Sequence, residues 1–288
     1  MNLMGTILTQ QLKKRRYFLY AGYITVIASY AAGLYLLFID LGKAVIIFNF
    51  ATLLYFFGVR TMDRNYGRRF VTANLSLVYS SILGKISILK RGNITGQSLA
   101  SRKLVPAREK GGAACSSLLE GQMGKSKVTV CDVTICFDRT SDESRHKVGL
   151  LNGIWVETEK PESRTQTFLL IPKLFLKKGI EREFYLDQGL KEFTLANRTL
   201  DNSYMLFGSE DSAQKDADLF VRQYKSIVMA LSEKDHAVAA IRQDSQGICA
   251  FFPDQSLSFP VPLRGELSEE VISWNRTPQV TALLRCAV

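Results

Sequence analysis

The chain has 288 residues, 47% of them apolar, and a formal net charge of +10. That charge is unevenly placed: residues 1–69 and 70–127 each carry +7, and the remainder carries −4. A basic half joined to an acidic half, with no basic stripe interleaved with aromatics and no zinc-finger, RRM or KH signature, argues against a nucleic-acid reader. It suits a lipid bilayer as partner, since each Lys or Arg near an anionic surface gains roughly 1 kcal/mol.

Two uncharged apolar runs, 17–39 and 44–59, are separated by the polar break Asp40-Leu41-Gly42-Lys43. As helices they span roughly 34 and 24 Å at about 1.5 Å per residue, against a hydrocarbon core of about 30 Å, which predicts a two-span transmembrane hairpin. Lys13, Lys14, Arg15 and Arg16 precede the first run and Arg60, Arg64, Arg68 and Arg69 follow the second, whereas the break holds only Lys43 beside Asp40. This asymmetry puts both termini on the cytoplasmic side, with those eight bases at lipid headgroups. The first run exceeds a signal-peptide core of about 7–15 residues and Ser29-Tyr30-Ala31 is a poor cleavage site, so the run is expected to stay. Five cysteines without framework spacing agree with a reducing compartment.

Within the first span Ala21, Thr25, Ser29 and Gly33 recur every four residues as a stripe that lets another helix approach, either the second span or a second copy of the hairpin. Asn49 is expected to hydrogen-bond between the helices. Tyr17, Phe18, Tyr20, Tyr23, Tyr55, Phe56 and Phe57 form an interfacial aromatic belt.

A helix continuing from the second span is expected over about 61–83, and the Gly-, Ser- and Lys-rich stretch 106–127 reads as a linker. The division is therefore 1–69 for basic terminus and hairpin, 70–127 for juxtamembrane helix and linker, and 128–288 for an α+β domain. In that domain the β-branched run 128–137 is a strand, as are 148–157 and 166–171, with weaker strand-like pieces near 184–186, 192–195 and 203–207. The period then changes: Ser212 caps a helix to about 231 with Ala217, Phe220, Val221, Tyr224, Ile227 and Val228 on one face. Strands at 237–242 and 247–252 and short helices at 268–275 and from 277 complete a mainly antiparallel sheet in meander order with packed helices.

Candidate chemical motifs are weak. Gly121-Gln122-Met123-Gly124-Lys125-Ser126 ends like a phosphate loop, but Leu119 stands where the pattern needs glycine. His146 and His236 are the two histidines, and neither belongs to a metal-binding unit; Cys131 and Cys136 point to opposite faces of a strand. Glu210, Asp211, Asp216 and Asp218 complement a helix dipole. Trp155 and Trp274 are core residues or, alternatively, partner anchors. No cofactor, metal or catalytic residue is implied.

The hairpin, the strand leading into Gly149-Leu150-Leu151-Asn152-Gly153-Ile154-Trp155-Val156, the segment Lys191-Glu192-Phe193-Thr194-Leu195 and the late strands ending in Phe251-Phe252 resemble a bacterial domain-of-unknown-function family. That resemblance implies two closely spaced spans and a cytosolic α+β domain, and carries no catalytic residues. The expectation is a non-enzymatic membrane anchor or scaffold whose domain binds a protein or lipid partner. A membrane-tethered hydrolase or transferase using His146 or His236, and a secreted effector inserting into a host membrane, are the alternatives.

Overall fold

The computed structural model describes residues 3–89, 94–139, 147–159, 166–232, 239–259 and 261–286. The chain divides into a helical unit, Met1–Val78 with Phe259–Asn275, and a sheet unit, Tyr79–Ser258 with Arg276–Val288.

In the helical unit α1 runs Leu3–Leu36, α2 runs Leu41–Leu53, a π-helical turn occupies Leu54–Val59, and α3 runs Arg60–Tyr79. The apolar runs are thus the middles of longer rods: 34 residues, or about 51 Å, in α1, and a continuous Leu41–Tyr79 of 39 residues, about 58 Å, in the second. Asp40 starts the second rod by accepting the backbone N–H of Lys43 at 3.1 Å.

The two rods meet along a seam of seven-residue steps. On α1 the buried positions in seven-residue steps are Leu12, Leu19, Val26 and Gly33; opposite them lie Ala44, Ala51, Val59, Tyr66 and Ala73. Seven residues advance a helix by nearly two turns and return to within about 20° of the same face, while four-residue steps drift by about 40° each. The predicted stripe therefore does not share a seam. Gly33 and half-buried Ser29 lie on it, whereas Ala21 and Thr25 are exposed. A Cβ on Gly33 would sit 2.8 Å from the Phe48 ring, so glycine permits that close approach. Asn49 also departs from expectation, since its amide donates to Val45 O of its own helix at 2.9 Å. The interhelical polar contact is instead Tyr30 Oη with Thr52 Oγ1 at 2.8 Å. The one eight-residue step, Ala51 to Val59, coincides with the π-helical turn, whose extra residue keeps the seam facing α1.

Residues 259–275 belong to this unit as a strap. Phe259 packs edge-on against Phe70 at 6.0 Å, Gly265 O accepts from Arg16 at 2.9 Å, and Asn74 Nδ2 donates to Ile272 O and Trp274 O at 2.6 and 2.9 Å. Within the strap α9, Glu269–Ser273, is capped by Ser268.

The sheet unit has nine strands, all antiparallel: β1 Gly84–Leu89, β2 Ala113–Met123, β3 Ser126–Arg139, β4 Lys147–Glu159, β5 Phe168–Pro172, β6 Leu190–Phe193, β7 Tyr204–Ser209, β8 Ala240–Asp244 and β9 Gly247–Pro253. Their spatial order is β1-β2-β3-β4-β9-β8-β5-β7-β6. Helices α4 Gly96–Ser101, α5 Leu174–Lys177, α6 Glu183–Leu186, α7 Arg198–Ser203, α8 Gln214–Ser232 and α10 Pro278–Cys286 complete it. The α+β class with a mainly antiparallel sheet is what the sequence indicates, with three corrections. The sheet begins at Gly84, ahead of the expected domain start at 128, and β2 runs through the stretch read as a linker; β2 lacks β-branched residues and is held by pairing with β3. The hairpin β8–β9 inserts between β4 and β5, which breaks the meander. Residues 183–186 form one helical turn, with Tyr185 stacked on Phe207 at 5.1 Å.

One core cluster lies on the face of β3 that presents Cys131, Val133, Ile135 and Phe137, packed with Leu151, Trp155 and Phe251, and the opposite face, with Val128, Val130, Ile154, Val156 and Phe252, is buried as well. Gly149, which weakens β4 on propensity, stands opposite Phe137, whose ring comes within 2.3 Å of where a Cβ would be. An L side chain there would displace the ring, so the glycine is a packing requirement.

Candidate functional site

Apolar residues of α1 four apart, Met4, Leu8 and Leu12, share a helical face, and Ala73 of α3 joins them in lining a groove of about 180 Å³. Gln11, Thr72 and Ser76 supply its polar lining, and Arg15 and Arg69 stand at the end nearest the apolar runs. Both arginines are exposed, and among the described residues no ion pair joins either to a carboxylate. They belong to the band of eight bases. Lys13, Lys14, Arg60, Arg64 and Arg68 are also exposed; Arg16 is half-buried, donates to Gly265 O, and lies 6.0 Å over the Tyr20 ring. Arg60 lies 5.7 Å over Phe56. Inside the seam burial raises the Tyr66 pKa, with Arg16 opposing, and the Tyr66 hydroxyl has no hydrogen-bond partner among the described residues.

The sheet unit holds two buried polar constructions. Asp132, on the face of β3 opposite that of Cys131, accepts from Leu257 N at 2.6 Å, Ser258 N at 3.1 Å and Ser256 Oγ at 3.0 Å, fixing the chain just before it leaves for the strap. Arg102, 4% exposed, places Nε 3.1 Å from Glu157 Oε1 and Nη1 3.8 Å from Asp244 Oδ1. Arg242 Nε meets Asp244 Oδ2 at 2.7 Å and its Nη1 donates to Gln188 at 2.9 Å. Two guanidinium groups balance two carboxylates, so this neutral cluster locks α4 and α6 to the sheet and leaves no free base or acid for proton transfer.

Nucleophiles are muted. The Cys131 thiol is pushed well up by its hydrogen bond with Cys115 and by burial, and Cys249 by burial, so both stay protonated and unreactive. Among the described residues no cluster of His, Cys, Asp and Glu could hold a metal ion. His146 and His236 lie outside the described residues. Gly124 and Lys125 form the two-residue turn between β2 and β3, a strand–turn–strand in place of the strand–turn–helix that a phosphate loop needs. Of the acidic cluster, Asp216 lies in the first turn of α8, and Asp218 accepts from Gln214 at 2.9 Å and lines a second hollow of about 280 Å³ with Arg222 and Lys225. The tryptophans separate: Trp155 is fully buried, which agrees with its reading as a core residue and removes the alternative of an anchor, whereas Trp274 is 63% exposed and departs from the core reading.

No protein-family model matches the chain, and no curated protein matches it. The crystal structure of the mycobacterial trehalose monomycolate transport factor A, TtfA, is similar at a TM-score of 0.34 and 10% identity, over 76% of this chain and 94% of that one. A likeness of that degree carries no argument about activity.

The sequence reading missed the groove, the Asp132 staple and the Arg102 cluster. The groove had a local signal, the i, i+4 repeat Met4-Leu8-Leu12 upstream of the basic run; the other two join residues more than 50 apart and had none.

Proposed function

We propose that this chain is an integral membrane protein whose two rods anchor it by a transmembrane hairpin. Both termini are cytoplasmic at a bacterial inner membrane, and the nine-stranded α+β unit is presented there as a non-enzymatic binding module. One observation carries the reading: the most apolar 18-residue windows of Met4–Leu36 and Leu41–Tyr79 are each only 17% buried. A core helix of a water-soluble protein is mostly covered. Nineteen large apolar side chains between Tyr17 and Phe57 are exposed. At roughly 1.5–3 kcal/mol each, keeping them in water rather than in hydrocarbon costs tens of kcal/mol. Hydrocarbon removes that cost. The basic band beside the spans supports the orientation, and the neutral Arg102 cluster and protonated core thiols support a non-enzymatic role. Exposed Trp274 offers an anchor for a protein partner.

Alkaline carbonate extraction of membranes and alkaline phosphatase fusions test this. The protein is expected to stay in the carbonate pellet, with a fusion inserted at Gly42 active outside the cell and a fusion at the C-terminus inactive. Release by carbonate, or activity at both points, overturns the proposal.

A further inference from the structure

We propose that the groove between α1 and α3 is a lipid site, holding one acyl chain of an anionic phospholipid whose phosphate sits on Arg15 and Arg69. The inference rests on the membrane-anchored reading and adds a specific ligand to it. Arg15 lies two residues before the apolar run that begins at Tyr17, at the level where headgroup phosphates lie. From there the apolar lining, Leu12 to Leu8 to Met4, runs about 12 Å along α1 away from the bilayer, taking eight residues at about 1.5 Å each. A groove that is apolar along its length and doubly cationic at one end matches an amphiphile with an acidic head. Planar guanidinium groups bind phosphate oxygens in pairs, which favours phosphate over a zwitterion's screened charge.

Size decides between occupants. At about 180 Å³ the groove falls below the roughly 300–1,000 Å³ of sites for drug-sized ligands. A partner helix about 10–12 Å across does not enter it. The groove is open along one side, so a single hydrocarbon chain lies along it partly covered.

The full-length protein purified in detergent is incubated with phosphatidylglycerol or phosphatidylcholine, and retained lipid is read by native mass spectrometry. Wild type is expected to retain phosphatidylglycerol in preference. The double variant Arg15→Gln/Arg69→Gln should lose about thirtyfold, each base near the surface being worth about fivefold. Thr72→Trp, which fills the groove from an exposed position, should lower retention as much. Arg60→Gln/Arg64→Gln, which removes the same charge from the band outside the groove, should lower retention severalfold less than the groove pair does. Equal loss in the two double variants overturns the proposal in favour of diffuse attraction by the band. Full retention in Thr72→Trp overturns occupancy of the groove by a chain, and a dimer that this variant abolishes makes a second copy the occupant. Carbonate extraction of wild type separates the two readings: a protein that stays in the membrane yet shows no lipid preference refutes the site alone.

Discussion

Inserting one alanine after Arg64 and deleting Phe57 change the second rod by one residue each, and the π-helical turn makes their consequences opposite. The seam steps are seven, eight, seven and seven residues from Ala44 to Ala73, and the eight-residue step spans Leu54–Val59. Removing Phe57, 76% exposed and outside the seam, turns that step into seven, which a regular α-helix carries without a bulge. The expected cost is under about 1 kcal/mol, in the range of a surface change. The insertion creates a second eight-residue step where no bulge exists, rotating the rest of α3 by about 100°. Tyr66 and Phe70, at 2% and 0% exposure, then leave the strap and α1. At roughly 2–3 kcal/mol for each aromatic side chain and about 0.8 kcal/mol for the Ala73 methyl, the loss is roughly 5 kcal/mol. Unfolding of the purified full chain in mixed micelles by graded dodecyl sulfate, followed by far-ultraviolet circular dichroism, measures both. Equal destabilisation by insertion and deletion would refute the idea that the π-helical turn maintains the seam.

Two further predictions concern the sheet unit. Asp132→Ala leaves the buried N–H of Leu257 without its acceptor, while the N–H of Ser258 keeps Ser256 Oγ at 3.0 Å; at roughly 1–3 kcal/mol for a stranded donor, urea unfolding should show a loss of about 2 kcal/mol. A change below about 0.5 kcal/mol, the size of an ordinary surface substitution, would mean that the loop does not depend on this carboxylate. Burial pushes the Tyr204 hydroxyl up to about 12 from 10.0. Both states keep the proton below pH 10, so this group adds no pH dependence there. Between pH 10 and about 12 the unfolded chain ionises first and stability falls, by roughly 3 kcal/mol. Tyr79 and Tyr185 are shifted in the same direction by burial, so the measurement is the difference between wild type and Tyr204→Phe, which should open over that window and is contradicted by parallel alkaline unfolding curves.

What could be read from the chain depended on how local the signal was. The apolar runs, the basic flanks, the 126–139 strand with its β-branched residues and the amphipathic α8 each announce themselves within fewer than 25 residues, and the structure has helices or strands at all of them. The stripe Ala21-Thr25-Ser29-Gly33 was legible as small residues but not as a contact, because the face a helix buries depends on its partner's phase, and here a π-helical turn in the partner sets it. Gly149 is unfavourable in a strand on propensity alone, and its reason, Phe137 across from it, belongs to the neighbouring strand.

Composition and periodicity by themselves determined an α+β chain with two apolar helical segments and a basic face beside them, since hydrophobic patterning and charge asymmetry are properties of neighbouring residues. The tertiary structure alone decided that β9 lies between β4 and β8, that Trp155 is core while Trp274 is surface, that residues 259–275 return to the helical unit, and that Arg15 and Arg69 share a groove. Each of these joins residues tens to hundreds of positions apart. Such contacts form only when the burial they gain exceeds the entropy of closing the intervening chain, and that balance is a property of the whole fold.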